Sequence, residues 1–232
     1  MKDVERAALA EFVGTFAFCF IGAGVICTNQ WTGGAVGLLG IAVAHGAALA
    51  VMISALGHIS GGHLNPAVTV GLLAAKKIDA RRAATYIVAQ LAGAVAAGYL
   101  LKAVVPAEVW KPVNLGAPAL GHGITLTQGA VFELVMTFFL VLTVFGMAVD
   151  PKGNRVLAGL GIGTVLVFDI LVVGPVTGAA MNPARAFGPS LASGFWDRNL
   201  LSWLTVYGLS PIAGGILAGV LYSALFLEPK KR

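Results

Sequence analysis

Two short, glycine-containing stretches interrupt a sequence that is otherwise strongly apolar, and they are near copies of each other. The first covers residues 60–68 and the second residues 177–185, so equivalent positions are 117 residues apart. The copies share the tripeptides Asn65-Pro66-Ala67 and Asn182-Pro183-Ala184. Asn can cap a helix and Pro fits its first turn, whereas irregular backbone in an apolar segment is costly unless it lines a watery cavity. Two such interruptions at matching places indicate a membrane pore built from an inverted repeat.

The composition supports a membrane protein. Apolar residues make up 58% of the 232 residues and charged residues 11%, well below the roughly 25% of an average soluble chain. The net charge of +5 comes from basic residues in short hydrophilic gaps and tails, where Lys and Arg set membrane topology. We therefore expect an integral, multi-pass protein in the lipid bilayer, and no nucleic-acid partner.

Six apolar segments are each close to the ~20 residues that cross a bilayer. We expect these spans at Ala7–Cys27, Ala35–Leu56, Ala83–Val105, Thr127–Val149, Val156–Val173 and Leu200–Leu227. Two half-helices, at Asn65–Ala75 and within Gly174–Ser193, are too short to cross. The sequence thus predicts an all-α membrane protein with six transmembrane helices plus two half-helices.

The spans divide into two halves of three, and three is an odd number, so the second half must insert upside down. We expect a single channel domain, with a first repeat at residues 7–105 and a second at 127–227. Residues 106–126, which contain three Pro and three Gly, are predicted to form a long surface loop on the outer side.

The positions of Lys and Arg predict that both termini are cytoplasmic, because cytoplasmic loops carry the excess of basic residues. This orientation places eleven basic residues inside and four outside. The inner set is Lys2, Arg6, Lys76, Lys77, Arg81, Arg82, Lys152, Arg155, Lys230, Lys231 and Arg232, and the outer set is Lys102, Lys111, Arg185 and Arg198. We expect the protein in the cell membrane.

The half-helices predict how a solute would pass. Their N-termini, each carrying roughly half a positive charge, would meet near the midplane, where the Asn65 and Asn182 amides can donate hydrogen bonds to a water oxygen. The expected acceptors are the loop carbonyls of Gly61, Gly62, His63, Leu64, Gly178, Ala179, Ala180 and Met181. Neutral molecules can exchange partners along such a track, whereas cations and proton hopping are opposed. This mechanism needs no metal or cofactor, and we expect none.

With these motifs the chain resembles the aquaporin (major intrinsic protein) family, from about Glu11 to Pro211. The resemblance extends to residues 10–16 and 132–138, which match at an offset of 122. It implies that Glu11 and Glu133 brace the two loops by accepting backbone amide hydrogen bonds. It also implies a homotetramer with one pore per subunit.

The resemblance implies a selectivity filter outside the Asn-Pro-Ala region, formed by His45, Ile170, Ala179 and Arg185. A His in the second span and an Ile in the fifth resemble the plant tonoplast intrinsic branch, whose members often also pass ammonia, urea or hydrogen peroxide. His122 resembles a further filter histidine of that branch. The expected function is a passive channel for water and small neutral solutes, including ammonia, that excludes ions and protons.

Two alternatives remain open at this stage. A glycerol or urea facilitator is compatible with a wide filter, although Ala186 stands where glycerol-conducting relatives usually carry Asp. An ion-coupled secondary transporter would need an intramembrane acid for coupling, and Asp169 is the candidate. An enzyme is not expected, because the sequence contains no nucleophile triad, metal cluster or phosphate loop.

Overall fold

Six long apolar helices form the body of the molecule. The computed structural model describes residues 3–196 and 200–227, and all regular secondary structure within them is helical. Each of the six has 23 to 29 residues, and at about 1.5 Å per residue each exceeds the roughly 30 Å hydrocarbon core of a bilayer. They are Asp3–Trp31, Gly37–Ser60, Ala80–Val104, Leu126–Val149, Arg155–Thr177 and Leu200–Leu225. The predicted all-α membrane fold with six spans is confirmed.

Ten α-helical segments, including several short ones, follow one another along the described residues. In chain order they are α1 (Asp3–Trp31), α2 (Gly37–Ser60), α3 (Pro66–Ala74), α4 (Ala80–Val104), α5 (Ala107–Trp110), α6 (Leu126–Val144), α7 (Ala158–Thr177), α8 (Pro183–Ser193), α9 (Leu200–Ser202) and α10 (Ser210–Leu225). Two spans contain wider π-helical turns that the sequence did not predict, at Phe145–Val149 after α6 and at Trp203–Leu209 between α9 and α10.

The half-helices α3 and α8 have nine and eleven residues, so they are only about 14 and 17 Å long. Each follows a left-handed turn that ends the preceding span, at Gly61 (φ 97°) and at Gly178 (φ 76°). Glycine adopts this conformation without steric cost. Since both half-helices reach only about halfway through a bilayer, each requires a second element to complete the crossing.

The two halves are packed into each other. Helix α3 of the first half packs on α10 of the second, and α8 of the second half packs on α4 of the first. Glycines permit these close contacts: a Cβ on Gly71 would lie 2.6 Å from the Gly215 carbonyl oxygen, and a Cβ on Gly98 would lie 2.8 Å from that of Gly188. Small residues of this kind let helix backbones approach closely in membranes. Each half-helix is therefore positioned by a span of the opposite half.

The prediction of a surface loop at residues 106–126 is wrong for part of that segment. It contains α5 and a 3₁₀ turn at Asn114–Gly116, and Leu115 is fully buried. Gly116 has a φ of 72°, and a Cβ there would lie 2.8 Å from the backbone of Ala23 in α1. The segment descends onto α1 because Leu115 joins a small apolar cluster with Ala23 and Cys27.

The first span is longer than expected. It was predicted at residues 7–27 but runs from Asp3 to Trp31, because a helix can continue into water once its backbone hydrogen bonds are formed. Asp3 and Glu5 lie in its first turn, where negative charge is favourable to the helix dipole. Five residues used to predict orientation lie outside the described residues: Lys2, Arg198, Lys230, Lys231 and Arg232.

Candidate functional site

The N-terminal tips of α3 and α8 meet inside the molecule. The Asn65 side chain donates a hydrogen bond from Nδ2 to the Met181 carbonyl at 2.8 Å. Asn182 donates from Nδ2 to the Leu64 carbonyl at 2.9 Å. Because each Asn binds the loop of the opposite half, the two tips hold each other by a reciprocal pair of hydrogen bonds.

Both Asn side chains are also helix caps. Asn65 Oδ1 accepts the Ala67 amide at 2.8 Å, and Asn182 Oδ1 accepts the Ala184 amide at 3.0 Å. Pro66 and Pro183 occupy the first helical positions, where the missing N–H costs nothing. The cap fixes each amide plane, and the crosswise bond uses one of the two Nδ2 hydrogens. The second hydrogen of each amide remains available to a molecule in the cavity that both side chains line.

Both loops contain several residues with left-handed backbone. Among residues without glycine's freedom, φ is 50° at Leu64, 51° at Ala179 and 44° at Met181, a conformation that L-residues adopt at a cost of about 1–2 kcal/mol. The carbonyls of Leu64 and Met181 accept the Asn side chains. Among the described residues, no loop amide or side chain donates a hydrogen bond to the carbonyls of residues 61–63 or 178–180. Six of the eight carbonyls expected as acceptors therefore carry no such bond from residues 3–196 or 200–227.

Glu11 holds the first loop from α1. Its carboxylate accepts the backbone amides of His63 at 2.9 Å and Leu64 at 2.6 Å. It also accepts the Ser60 hydroxyl at 2.6 Å and Gln90 Nε2 at 2.8 Å. Glu11 is fully buried, so these donors replace the water that a carboxylate would otherwise bind.

Glu133 holds the second loop from α6 in the same way. Its carboxylate accepts the backbone amides of Ala180 at 2.9 Å and Met181 at 2.6 Å, and the Thr177 hydroxyl at 2.6 Å. Tyr207 then donates from its hydroxyl to the Thr177 carbonyl at 2.8 Å, as Tyr86 does to the Ser60 carbonyl at 2.8 Å. Sequence reasoning missed the bracing role of two pairs of residues that recur in the two halves. They are Ser60 and Thr177, at an offset of 117, and Tyr86 and Tyr207, at an offset of 121.

The structure brings the four predicted filter residues together. His45, Ile170, Ala179 and Arg185 are 2 to 3% exposed and line one cavity of about 210 Å³, which we call the outer cavity. His45 Nδ1 lies 2.9 Å from the Ile41 carbonyl. Since a carbonyl only accepts, Nδ1 carries the hydrogen, and in the neutral imidazole Nε2 is then an acceptor.

Arg185 Nε and Nη1, and His45 Nε2, have no hydrogen-bond partner among the described residues. Buried polar atoms of native proteins are nearly always paired with protein or ordered water. The unpaired donors of Arg185 and the unpaired acceptor of His45 therefore form a polar surface suited to a small molecule that both donates and accepts hydrogen bonds.

His122 lies apart from the other four. Its side chain is exposed on the segment between α5 and α6, and it is not among the residues that line the outer cavity, to which Gly116, Ala117 and Pro118 contribute from the same segment. The structure does not bring His122 together with His45 and Arg185, and its role in the filter stays a prediction.

Three cavities follow one another through the molecule. The outer cavity is lined by Ala179 and the next cavity by Ala180. This narrow cavity of about 20 Å³ is also lined by Asn65 and Asn182, and it has room for about one water at a time. A third, inner cavity of about 550 Å³ opens on the side of the chain termini, between the end of α2 and the start of α7. Ile53 lines both the narrow and the inner cavity.

Most of the wall of the narrow cavity is apolar, and the sequence interpretation missed it. Phe18 and Leu140 face it at an offset of 122, and Leu49 and Leu166 at an offset of 117. The repeat itself was the signal that could have identified these pairs, since residues equivalent under an inverted repeat lie at equivalent distances from the centre.

Asp169 is fully buried and lies outside the three cavities. Neither of its carboxyl oxygens has a hydrogen-bond partner in residues 3–196 and 200–227. Within the same described residues, no group of three or more His, Cys, Asp or Glu side chains is placed to hold a metal ion.

Comparisons with known proteins agree with this geometry. A family model described as "Major intrinsic protein" matches residues 1–222. The chain is 43% identical to "Aquaporin TIP4-4" of Zea mays, over 96% of this chain and 87% of that protein. It is 44% identical to "Probable aquaporin TIP3-2" of Oryza sativa subsp. japonica, over 98% of this chain and 84% of that protein.

A solved structure shows the same fold. The aquaglyceroporin from Plasmodium falciparum superposes with a TM-score of 0.77 at 24% identity, over 96% of both chains. At that identity the likeness concerns the fold alone. The family model and the plant relatives together show that the chain belongs to the major intrinsic protein family, the aquaporins.

Proposed function

We propose that this aquaporin conducts water and small neutral solutes, including ammonia, and excludes ions and protons. A passive channel for water and small solutes follows from the family. The observation that carries the finer proposal is the reciprocal pair Asn65 and Asn182, which lines a cavity of about 20 Å³ between the tips of two opposed half-helices.

The Asn pair supports single-file passage. A water in the narrow cavity can accept the free Nδ2 hydrogen of Asn65 or Asn182 while it donates to a loop carbonyl such as that of His63 or Ala180, both of which line the cavity. The partial positive charges of two helix N-termini favour an orientation with the water oxygen toward the centre. Waters on either side then point their hydrogens away from the centre, which opposes proton hopping through the file.

Cations are opposed by charge and by lost hydration. The Arg185 guanidinium stands at the outer entrance, and both helix dipoles are positive at the centre. A hydrated ion cannot keep its shell in a space for about one water, and transfer of a bare ion into apolar surroundings is very costly. Anions face the same loss of hydration among Phe18, Leu49 and Leu166.

The filter supports ammonia as a solute. His45 Nε2 offers an acceptor, Arg185 offers donors, and Ile170 with Ala179 supplies an apolar wall without a further polar group. Ammonia loses fewer hydrogen bonds than water when it leaves bulk solvent. The apolar part of the filter wall therefore disfavours ammonia less than it disfavours water.

A glycerol or urea facilitator is the second candidate, favoured by the outer cavity of about 210 Å³. The narrow cavity argues against efficient conduction of such solutes. The ion-coupled transporter loses its candidate residue, because Asp169 lies outside all three cavities. No chemical step is needed for permeation, and we propose a channel that is not an enzyme.

We further propose a homotetramer with cytoplasmic termini in the cell membrane. Apolar side chains on the outer faces of α2 and α7, including Leu39 (63% exposed) and Leu160 (62% exposed), are suited to contact with lipid or a second copy. The basic residues that support the orientation include Lys76, Lys77 and Arg155. Cross-linking tests the tetramer, and protease accessibility of the termini tests their orientation. A fluorescent fusion tests the location in the cell membrane.

Purified protein in liposomes tests the function. Stopped-flow light scattering should show faster osmotic shrinkage than empty liposomes, and an internal pH dye should show faster alkalinisation on addition of ammonia. An ion-sensitive dye should show no added flux of Na⁺ or K⁺. The Arg185→Val variant should lose solute discrimination while water flux persists. Shrinkage equal to that of empty liposomes would refute the water channel.

A further inference from the structure

Each filter residue has a counterpart on the other side of the Asn pair, because the half-loops are related by an offset of 117 residues. His45 corresponds to Ile162 and Arg185 to Val68, while Ile170 and Ala179 correspond to two positions in the first half. We call these counterparts the inner ring: Ile53, Gly62, Val68 and Ile162.

The inner ring lies where the passage is narrow. All four of its residues line the cavity of about 20 Å³, whereas the four filter residues line the outer cavity of about 210 Å³. Val68 and Ile162 are each 3% exposed. Ile53 also lines the inner cavity, so one member of the ring borders both the narrow cavity and the wide inner cavity.

The two rings differ in polarity as well as in width. The filter contains a guanidinium and an imidazole with unpaired polar atoms, whereas the inner ring contains no polar side chain. The polar side chains in the narrow cavity belong to His63, Asn65 and Asn182. Of the two ring nitrogens of His63, Nδ1 is bonded to Thr69 Oγ1 at 3.0 Å, which leaves Nε2 for a solute. A solute with several polar groups that leaves the Asn pair must therefore pass aliphatic walls with few partners, at the cost of unmade hydrogen bonds.

We propose that the inner ring is a second selectivity barrier, in series with the outer filter, that rejects neutral solutes with several polar groups, such as urea and glycerol. The proposal rests on the channel function proposed above. Water and ammonia pass because each fits the narrow cavity and can be served by the remaining loop carbonyls. The barrier combines width with a lack of polar partners.

Truncation of the ring tests its width. Ile162→Ala and Val68→Ala in liposomes should each raise urea permeability at least fivefold, with a smaller rise in water permeability. Ile170→Ala, the same truncation at the aliphatic residue of the outer filter, should raise urea permeability less, since the outer cavity is already wide. Val88→Ala, at a 68% exposed position on α4, is the matched control that should change neither flux.

Milder changes guard against misfolding and test polarity. Ile162→Val removes one methylene and should give a smaller rise in urea permeability in the same direction. Val68→Thr keeps the side-chain shape and adds a hydroxyl, so it should raise urea permeability severalfold without widening the ring. Unchanged urea flux in Val68→Thr would overturn the polar part of the proposal.

The outcomes separate the ring from the channel. Wild-type water flux at the level of empty liposomes refutes the channel function, and the ring proposal with it. Normal wild-type water flux, with urea permeability raised by Ile170→Ala but not by Ile162→Ala, Ile162→Val or Val68→Ala, overturns the inner ring alone and assigns discrimination to the outer filter.

Discussion

The two half-loops are held by equivalent bonds but present different side chains to the passage. In both, a buried Glu accepts two backbone amides and one hydroxyl, and a tyrosine hydroxyl binds the carbonyl at the start of the loop. The lining has diverged: His63 corresponds to Ala180, and Val68 to Arg185. The comparison teaches that the brace sets the loop geometry, whereas the side chains that face the solute can change within that geometry.

The braces differ at one donor. Glu11 also accepts Gln90 Nε2, whereas the equivalent position in the second half, at an offset of 121, is Pro211. Within the part of the chain that the structure describes, Glu133 holds its loop without such a donor. The backbone amides and the hydroxyl are therefore the shared part of the brace, and Gln90 is an addition to it.

The walls differ by a compensating exchange of volume. His45 lies against Gly22, where a Cβ would be 2.6 Å from the imidazole Nε2. The equivalent pair in the second half is Ile162 and Val144, both of which line the narrow cavity. The imidazole of His45 beside Gly22 thus takes the place of two medium-sized aliphatic side chains. The small volume of Gly22 lets the filter hold an imidazole without closing the passage.

The largest expected effect comes from Glu11→Gln and Glu133→Gln. Gln keeps the shape but turns an acceptor oxygen into a donor that faces backbone amides. Loss of two charge-assisted hydrogen bonds at about 1.5–3 kcal/mol each predicts a cost of about 3–6 kcal/mol. The melting temperature in detergent and the folded yield should fall sharply, more for Glu11 because Gln90 also faces it. Wild-type stability in both variants would show that the carboxylates do not hold the loops.

The next effect is that of Gln90→Leu, which makes the first brace resemble the second. It removes the hydrogen bonds that Gln90 Nε2 donates to the Glu11 carboxylate and to Thr69 Oγ1. Loss of the bond to the carboxylate alone should lower the free energy of unfolding by about 1.5–3 kcal/mol. The loss of melting temperature should be smaller than that of Glu11→Gln, and water flux should decrease less. An equal loss of melting temperature in Gln90→Leu and Glu11→Gln would contradict this, because it would show that the Gln90 amide is as important to the first brace as the carboxylate.

A smaller effect of opposite sign is expected at Asp169, whose counterpart under the offset of 117 is Met52. Asp169→Met replaces a buried carboxyl that has no hydrogen-bond partner among the described residues by an apolar chain, and should stabilise the fold by about 1 kcal/mol. Asp150→Ala is the control, because Asp150 is bonded to Tyr222 at 3.0 Å and should lose stability. A lower melting temperature for Asp169→Met would reveal a partner that the described residues do not contain.

The smallest effect concerns the filter wall. Gly22→Ala pushes the His45 imidazole toward the passage and should reduce water permeability about threefold, which corresponds to a barrier of roughly 0.6 kcal/mol. Gly24→Ala is the matched control, because a Cβ there meets Leu101 at an ordinary 3.6 Å. The double variant Gly22→Ala, His45→Ala should recover the flux. Equal permeability of the two glycine variants would contradict the volume exchange.

Much of this fold could be predicted from the sequence, because crossing a bilayer requires a fixed length of apolar helix. The half-helices could be predicted equally well, because Asn before Pro marks a helix cap. The predicted range of α3, Asn65–Ala75, differs by one residue at each end from the observed Pro66–Ala74. The positions of the filter residues came from the family resemblance, and geometry now places His45 beside Arg185 but leaves His122 exposed.

Other features depend on tertiary contacts that no local pattern encodes. Leu115 is buried because a Pro- and Gly-containing segment descends onto α1, whereas the composition alone indicated a surface loop. The π-helical turn at Trp203–Leu209 keeps the same apolar content as an α-helix, so hydropathy cannot distinguish them. The crosswise donation of Asn65 to Met181 joins residues 116 positions apart, and only the folded chain brings them together.

That crosswise donation has a consequence for biosynthesis. Asn65 leaves the ribosome 117 residues before Asn182, which at about 5–20 residues per second is roughly 6–23 s earlier. During this interval the first re-entrant loop has no opposite tip, and its nascent structure depends on Glu11. The half that is translated first is also the half whose carboxylate has the additional donor, from Gln90.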